Sequence, residues 1–153
     1  MAAPLMRRAA FVEQAYANFQ ISDGVGGQAQ AQANAVFVAP FNGVDLATVP
    51  QSTVDALNNM RQAAEAAETG QFNPQIASAS GSQAAALQVG KIKNKVLKLT
   101  GEVQVLNIKI AQAQAAGSNT SSLKTKLTQE QTKLNKNVQT DVANAGKASK
   151  GVA

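Results

Sequence analysis

Four lysines crowd one short stretch of this 153-residue chain: Lys91, Lys93, Lys95 and Lys98. Ammonium groups so close together could give a polyanion or an anionic lipid several contacts at once. If the flanking segments pair antiparallel, Lys147 and Lys150 come to the same end and enlarge the patch. Cations near a helix N-terminus oppose its dipole by up to ~1 kcal/mol each. Such a cluster therefore implies either nearby compensating carboxylates or a use, and a solvated or internally paired face is the plainer of the two. Acid–base chemistry has few candidates. The chain has no histidine and no cysteine, which removes the commonest general base, the commonest zinc ligand, thiolate metal sites and disulfides together. Glu65 and Glu68 lie one helical turn apart and form the only plausible carboxylate pair, but in an alanine-rich amphipathic helix they read as surface charges. Gly24-Val25-Gly26-Gly27 could cradle an anion at a helix start, yet it lacks the spacing of a phosphate loop and follows no strand. Lys109, between Ile108 and Ile110, reads as a snorkelling flank residue. No arrangement rises to a catalytic, metal or cofactor site, so the expectation is a non-enzymatic protein without cofactors.

The elements that must position these residues are helical. The apolar fraction is 44%, much of it alanine, and aromatics are only 4%, which suits closely approaching helices better than a sandwich of sheets. Between Gln83 and Ala116, nine apolar residues from Ala85 through Val89, Ile92, Val96, Leu99, Val103, Leu106 and Ile110 to Ala113 alternate at spacings of four and three. This is a heptad seam of coiled-coil type, on a helix about 50 Å long. Leu97, Val105 and Ile108 widen its apolar face and call for a further layer. Gly117-Ser118-Asn119-Thr120 is the turn. The return helix, from about Ser121 to Ala145, carries a thinner stripe of Leu123, Leu127, Leu134, Val138 and Val142, with polar Glu130 or Gln131 at the missing position. A loop this short makes the two helices antiparallel neighbours.

Shorter helices precede the hairpin. Phe11, Val12, Ala15, Tyr16 and Phe19 predict one from Ala9 to about Gln20. A second is expected from a Ser22 or Asp23 cap to Val38, with Val25, Ala29, Ala33, Val36 and Phe37 inward. Pro50 should open a third, closed by Gly70, with Val54, Leu57, Met60 or Arg61, Ala64 and Ala67 inward. Asn73-Pro74 opens a short turn before Ser80-Gly81-Ser82 interrupts the chain. The architecture is thus all-α: a helical bundle with a long C-terminal antiparallel hairpin and shorter N-terminal helices packed against it. The predicted division is a tip over 1–8, one helical domain over 9–146 (short helices 9–80, hairpin 82–146) and a frayed tail over 147–153.

Charge is segregated along the chain. Through Ala79, three arginines face six carboxylates; from Ser80 on, eleven lysines face Glu102, Glu130 and Asp141 alone. The acidic half folding against the basic half accounts for this. Nucleic acid is a poor candidate partner, because the lysine-rich part carries no arginine and no aromatic. No apolar run approaches the ~20 residues of a membrane span. The seam can close within one chain or between two copies, so monomer and homodimer both remain open. Phe11, Phe19, Phe37, Phe41 and Phe72 all lie in the N-terminal half and could line a pocket for an apolar ligand, although ordinary core packing explains them as well.

The stretch from Gly90 to Lys109 (GKIKNKVLKLTGEVQVLNIK), with Asn34–Phe41 (NAVFVAPF) and Val44–Thr48 (VDLAT), resembles a group of small secreted proteins of filamentous ascomycete fungi. The likeness spans most of Ile21 to Ala153. The group has no established activity, so the resemblance implies secretion and no particular chemistry. In composition and helical layout alone the chain is similar to fungal hydrophobic-surface-binding and galactomannoprotein cell-wall proteins, which are all-helical and bind surfaces or lipids; no motif residues carry over. Ala2–Leu5 followed by Arg7-Arg8 resembles a short pro-segment with a dibasic processing site, the alternative being a frayed basic tip of a cytosolic protein. Asn119-Thr120-Ser121 is the only glycosylation triplet, at the predicted hairpin tip. These resemblances lead to the expectation of a secreted interaction protein acting at a cell wall, a host or a substrate surface. Its partners would be wall polysaccharide, host protein or an apolar ligand. The alternatives are a carrier of a fatty acid or similar molecule, and a binder of anionic surfaces through the lysine cluster.

Overall fold

The computed structural model describes residues 11–153. Expectations on residues 1–10, Arg7 and Arg8 among them, lie outside the described residues. The fold is an all-α bundle. A short helix α1 (Tyr16–Phe19) leads to α2 (Ala29–Phe37), α3 (Gln51–Ala67) and α4 (Asn73–Ser78). The hairpin follows as α5 (Gly81–Ala115) and α6 (Ser121–Ala143). Two short strands, β1 (Gly24–Val25) and β2 (Ala148–Ser149), pair antiparallel.

Helix α5 is the axis of the molecule. It packs on α6 along one side and on α2 and α3 along others. Its burial is correspondingly broad: Leu87, Val96, Leu97, Leu99, Val105, Leu106 and Ile108 are all closed off from solvent. The flank residues Leu97, Val105 and Ile108 thus meet the further layer their sequence calls for. The seam frays at its ends, where Ala85 is exposed and Ala113 only half-buried. Gly101 lets α2 approach, since a Cβ there would stand 3.0 Å from the Phe37 ring. Gly117, at φ +70°, makes the left-handed turn into α6, and the Asn119 side chain accepts from the Ser121 amide. On α6 only Leu134 of the apolar stripe is fully buried, and Val142 is 57% exposed rather than inward.

Outside the hairpin the chain departs from the sequence expectations in four places. The first helix shrinks to α1, because Phe11 leaves the helical face to stack on Phe41 at 5.4 Å and Glu13 reaches Asn59. Aromatic and β-branched residues hold a helix weakly enough for such contacts to win. The second helix starts at Ala29, not at Ser22 or Asp23. Gly24 and Gly27 sit at φ +99° and +113°, so the chain between them pairs as β1, and Val25 points outward, 50% exposed. The third helix begins after Pro50 as expected but does not close at Gly70. It runs through a π turn (Glu68–Phe72) into α4, and that turn carries Phe72 into full burial. Finally, the tail over 147–153 does not fray. Strand β2 pairs with β1, the Lys150 amide donates to the Ala86 carbonyl of α5, and Gly151 is buried.

Candidate functional site

The six lysines of the expected patch do not form one. Lys93 is completely buried; its ammonium donates to the carbonyls of Asp23 (3.1 Å) and Val25 (2.9 Å). Burial holds its pKa below the usual lysine value, against the pull of Asp141 and Asp23. Lys98 is clamped by Glu65 of α3 and by Glu68, which opens the π turn. Burial by itself lowers the pKa of Lys98, and the hydrogen bonds it donates to the two glutamates, with their charges, more than reverse this. Glu65 and Glu68 do share a face, as their spacing implies, but they serve as the counter-ions of this lysine. Lys91 and Lys95 are half-buried, and Lys147 and Lys150 are exposed.

Lys93 is the buried centre of a polar knot where the tail, the loop over 20–29 and the N-terminal part of α5 meet. Asp141 of α6, 1% exposed, accepts from the Gly27 amide (3.0 Å) and the Ala29 amide (2.9 Å), so it caps α2 from another helix. Ser22 donates to the Gly90 carbonyl at 2.8 Å, and the Ser149 hydroxyl donates to the Ser22 carbonyl. Asp23 accepts from the Gly151 amide at 2.9 Å, which with the Gln20 amide holds its carboxyl below the ordinary range. Glycines permit the contact: a Cβ on Gly90 would fall onto the Lys150 carbonyl, and one on Gly26 would stand 2.7 Å from the Asn144 oxygen. The Gly24-Val25-Gly26-Gly27 run is therefore a docking strip for the tail, and its outward amides are taken by Asp141 and the tail backbone.

The opposite arrangement holds in a groove between α3, α5 and α6. About 670 Å³ in volume, it is lined by Glu65, Glu68, Lys98 and Glu102 on one side and Glu130, Lys133 and Lys136 on the other, with Lys95, Asn137 and Thr140 at one end and Ile92 and Leu99 between the charges. Glu130 fills the polar gap in the α6 stripe and is nearly buried, with Lys133 against it at 3.1 Å. Glu102 faces it from α5, with Arg61 at 4.0 Å. Burial raises the Glu102 carboxyl above its ordinary pKa, and the Glu130 charge adds to this, against Arg61. The groove has no complete local signature in the sequence because its parts come from three separate helices. The one signal available was the polar residue interrupting an otherwise apolar stripe.

The phenylalanines do not share one pocket. Phe37 and Phe72 are fully buried, Phe41 and Phe19 nearly so, and Phe72 packs apart from the others, near Gly90. Phe19 meets the Phe37 ring edge-on at 6.1 Å, and Tyr16 meets Phe19 likewise at 5.5 Å. The Tyr16 hydroxyl donates to Asn94, and burial pushes its pKa up to about 12. Only Phe11 and Phe19 line an open apolar groove, of about 760 Å³, together with Val12, Ile21, Val36 and Pro40. Asn119 is exposed at the hairpin tip. No cluster of three or more metal-ligating side chains occurs among the described residues, and no helix is long and apolar enough to cross a membrane.

A profile for a domain of unknown function, DUF8454, matches residues 11–153. The chain belongs to this family. No curated protein and no solved structure matches it. The DUF8454 match covers the knot, the charged groove and the docked tail alike, so the tail is part of the domain.

Proposed function

We propose that this DUF8454 protein is a secreted, non-enzymatic interaction protein that binds acidic polysaccharide at a cell-wall or host surface, through the outer face of its hairpin. The observation that carries the reading is the sorting of charge across α6. Its two carboxylates, Glu130 and Asp141, are buried, whereas Lys124, Lys126, Lys133 and Lys136 are exposed. Lys147 and Lys150 extend the exposed cations beyond the helix end. The patch that the sequence placed on α5 is thus replaced by one on α6. Between these lysines lie Thr125, Thr128, Thr132, Asn135 and Gln139, all exposed and suited to hydroxyl-rich chains. The same face carries no arginine and no aromatic residue, which argues against nucleic acid. It offers no broad apolar stripe for insertion into lipid.

Retention on immobilised polygalacturonate, with neutral dextran as control, tests this. The protein binds at low salt, elutes as salt screens the charges, and is retained far less after Lys124, Lys126, Lys133 and Lys136 are changed together to Gln. Retention that is insensitive to those four substitutions contradicts the reading.

The groove of Phe11, Phe19 and their neighbours favours a second reading, a carrier of a fatty acyl chain. A thermal shift with fatty acids, lost on Phe11→Ala, supports it; no shift and no copurified lipid count against it.

A further inference from the structure

We propose that the groove between α3, α5 and α6 is a site for a phosphate monoester on a small organic skeleton, held by Lys95 and Lys136. The proposal rests on the reading of the hairpin as anion-binding and adds to it a discrete ligand. Its basis is the pairing of charges inside the groove. Each carboxylate that lines it has a cation alongside: Glu65 and Glu68 take Lys98, Glu130 takes Lys133 at 3.1 Å, and Glu102 has Arg61 at 4.0 Å. Lys95 and Lys136 line the same groove with neither an ion pair nor a hydrogen-bond acceptor among the described residues. Counted with Arg61, five cations stand against four carboxylates here, and Lys95 and Lys136 are the two whose ammonium groups are left free for a phosphate monoester, which carries about −1.5 to −2.

The cations present also select the shape of the anion. A lysine is a compact point charge that serves a tetrahedral oxyanion from any side, whereas a planar carboxylate is better met by the arginine fork. The one arginine at this groove, Arg61, already lies against Glu102. Asn137 gives one amide hydrogen to the Lys133 carbonyl at 2.9 Å and keeps its second for a ligand. Ile92 and Leu99 lie between the charged residues and offer an apolar bed for a carbon skeleton. The volume, about 670 Å³, falls inside the usual range for small-molecule sites.

Calorimetric titration of the full chain with glucose 6-phosphate, glucose 6-sulfate and glucose provides the test. The expected result is saturable binding of the phosphate ester, binding of the singly charged sulfate ester weaker by about tenfold, and none of glucose. Lys95→Gln and Lys136→Gln should each weaken the phosphate ester about tenfold without moving the melting temperature, and Lys109→Gln, on the exposed far part of α5, should not. The proposal is overturned by absence of saturable binding up to about 10 mM, by a sulfate ester that binds as tightly, or by full binding in the Lys95→Gln/Lys136→Gln double variant. A protein that is held on polygalacturonate but ignores glucose 6-phosphate removes this proposal alone. One that ignores both removes the polysaccharide reading as well.

Discussion

Lys93 and Lys95 stand two residues apart on one helix and meet opposite fates. Lys93 lies under the docked tail with its ammonium on two backbone carbonyls and Asp141 close by, sealed from solvent. Lys95 opens into a groove whose carboxylates are all taken by other cations, so it and Lys136 line the groove without a partner among the described residues. The first arrangement has every polar group matched and therefore acts on stability. The second leaves charge unmatched at a surface, and unmatched charge at a concave site is what a ligand can use. Lysine content alone does not distinguish the two; the neighbouring backbone does.

The largest effect should come from the knot. Asp141→Ala strips the cap from α2, leaves the Gly27 and Ala29 amides unpaired and removes a charge that attracts the Lys93 ammonium, a loss of about 2–4 kcal/mol in urea unfolding. A loss below about 1 kcal/mol would show that the knot is ornamental to stability. Next is Gly90→Ala, which drives a methyl group into the Lys150 carbonyl. It should cost about 1–3 kcal/mol or release the tail, seen as faster hydrogen exchange at the Lys150 and Gly151 amides.

Acidity should separate the regions by sign. The Asp23 carboxyl titrates below its ordinary range in the folded protein, so its contribution is present above the unfolded pKa and is lost as pH falls through the folded one. Glu102 titrates above its ordinary value, so its contribution is present in acid and is lost as pH rises through the raised pKa. Tail amides therefore lose protection on acidification below the usual carboxylate range. Glu102→Gln flattens the decline in stability as pH rises from the ordinary carboxylate pKa through the raised one. A Glu102→Gln profile that is parallel to wild type contradicts the raised carboxyl. The smallest effect belongs to the groove lysines: Lys95→Gln and Lys136→Gln together should change stability by no more than about 0.5 kcal/mol, since neither has a partner to lose.

The hairpin was legible because its signal is local and repeated. Residues 85–113 keep one period for four heptads, Gly117 can take the left-handed turn, and the return stripe follows at once. The knot was not legible. Its bonds join residues from 68 to 128 positions apart, such as Ser22 to Gly90, Asp141 to Ala29 and Asp23 to Gly151, and the tail sequence GKASKGVA is small and polar, which reads as fraying until its partner strand is known. The cap of α2 was misassigned for the same reason. Ser22 and Asp23 are the local candidates, but both side chains turn to α5 and the tail, and the cap comes from α6. The charged groove was half legible. The spacing of Glu65 and Glu68 puts them on one face, and the polar gap in the α6 stripe falls at Glu130 or Gln131. Their convergence on Lys98 and Lys133 needs three helices in register.

The most direct test of the contrast between sealed and open charge is an amide chemical-shift titration of isotope-labelled protein with a short polygalacturonate oligomer. The account predicts shifts gathered along α6 from Lys124 to Lys136 and at Lys95, reaching the exposed Lys147 and Lys150, with Ser22–Gly27 and Lys93 less perturbed than these. Shifts centred on the knot, or on the groove of Phe11 and Phe19, would contradict it, as would a spectrum that does not respond.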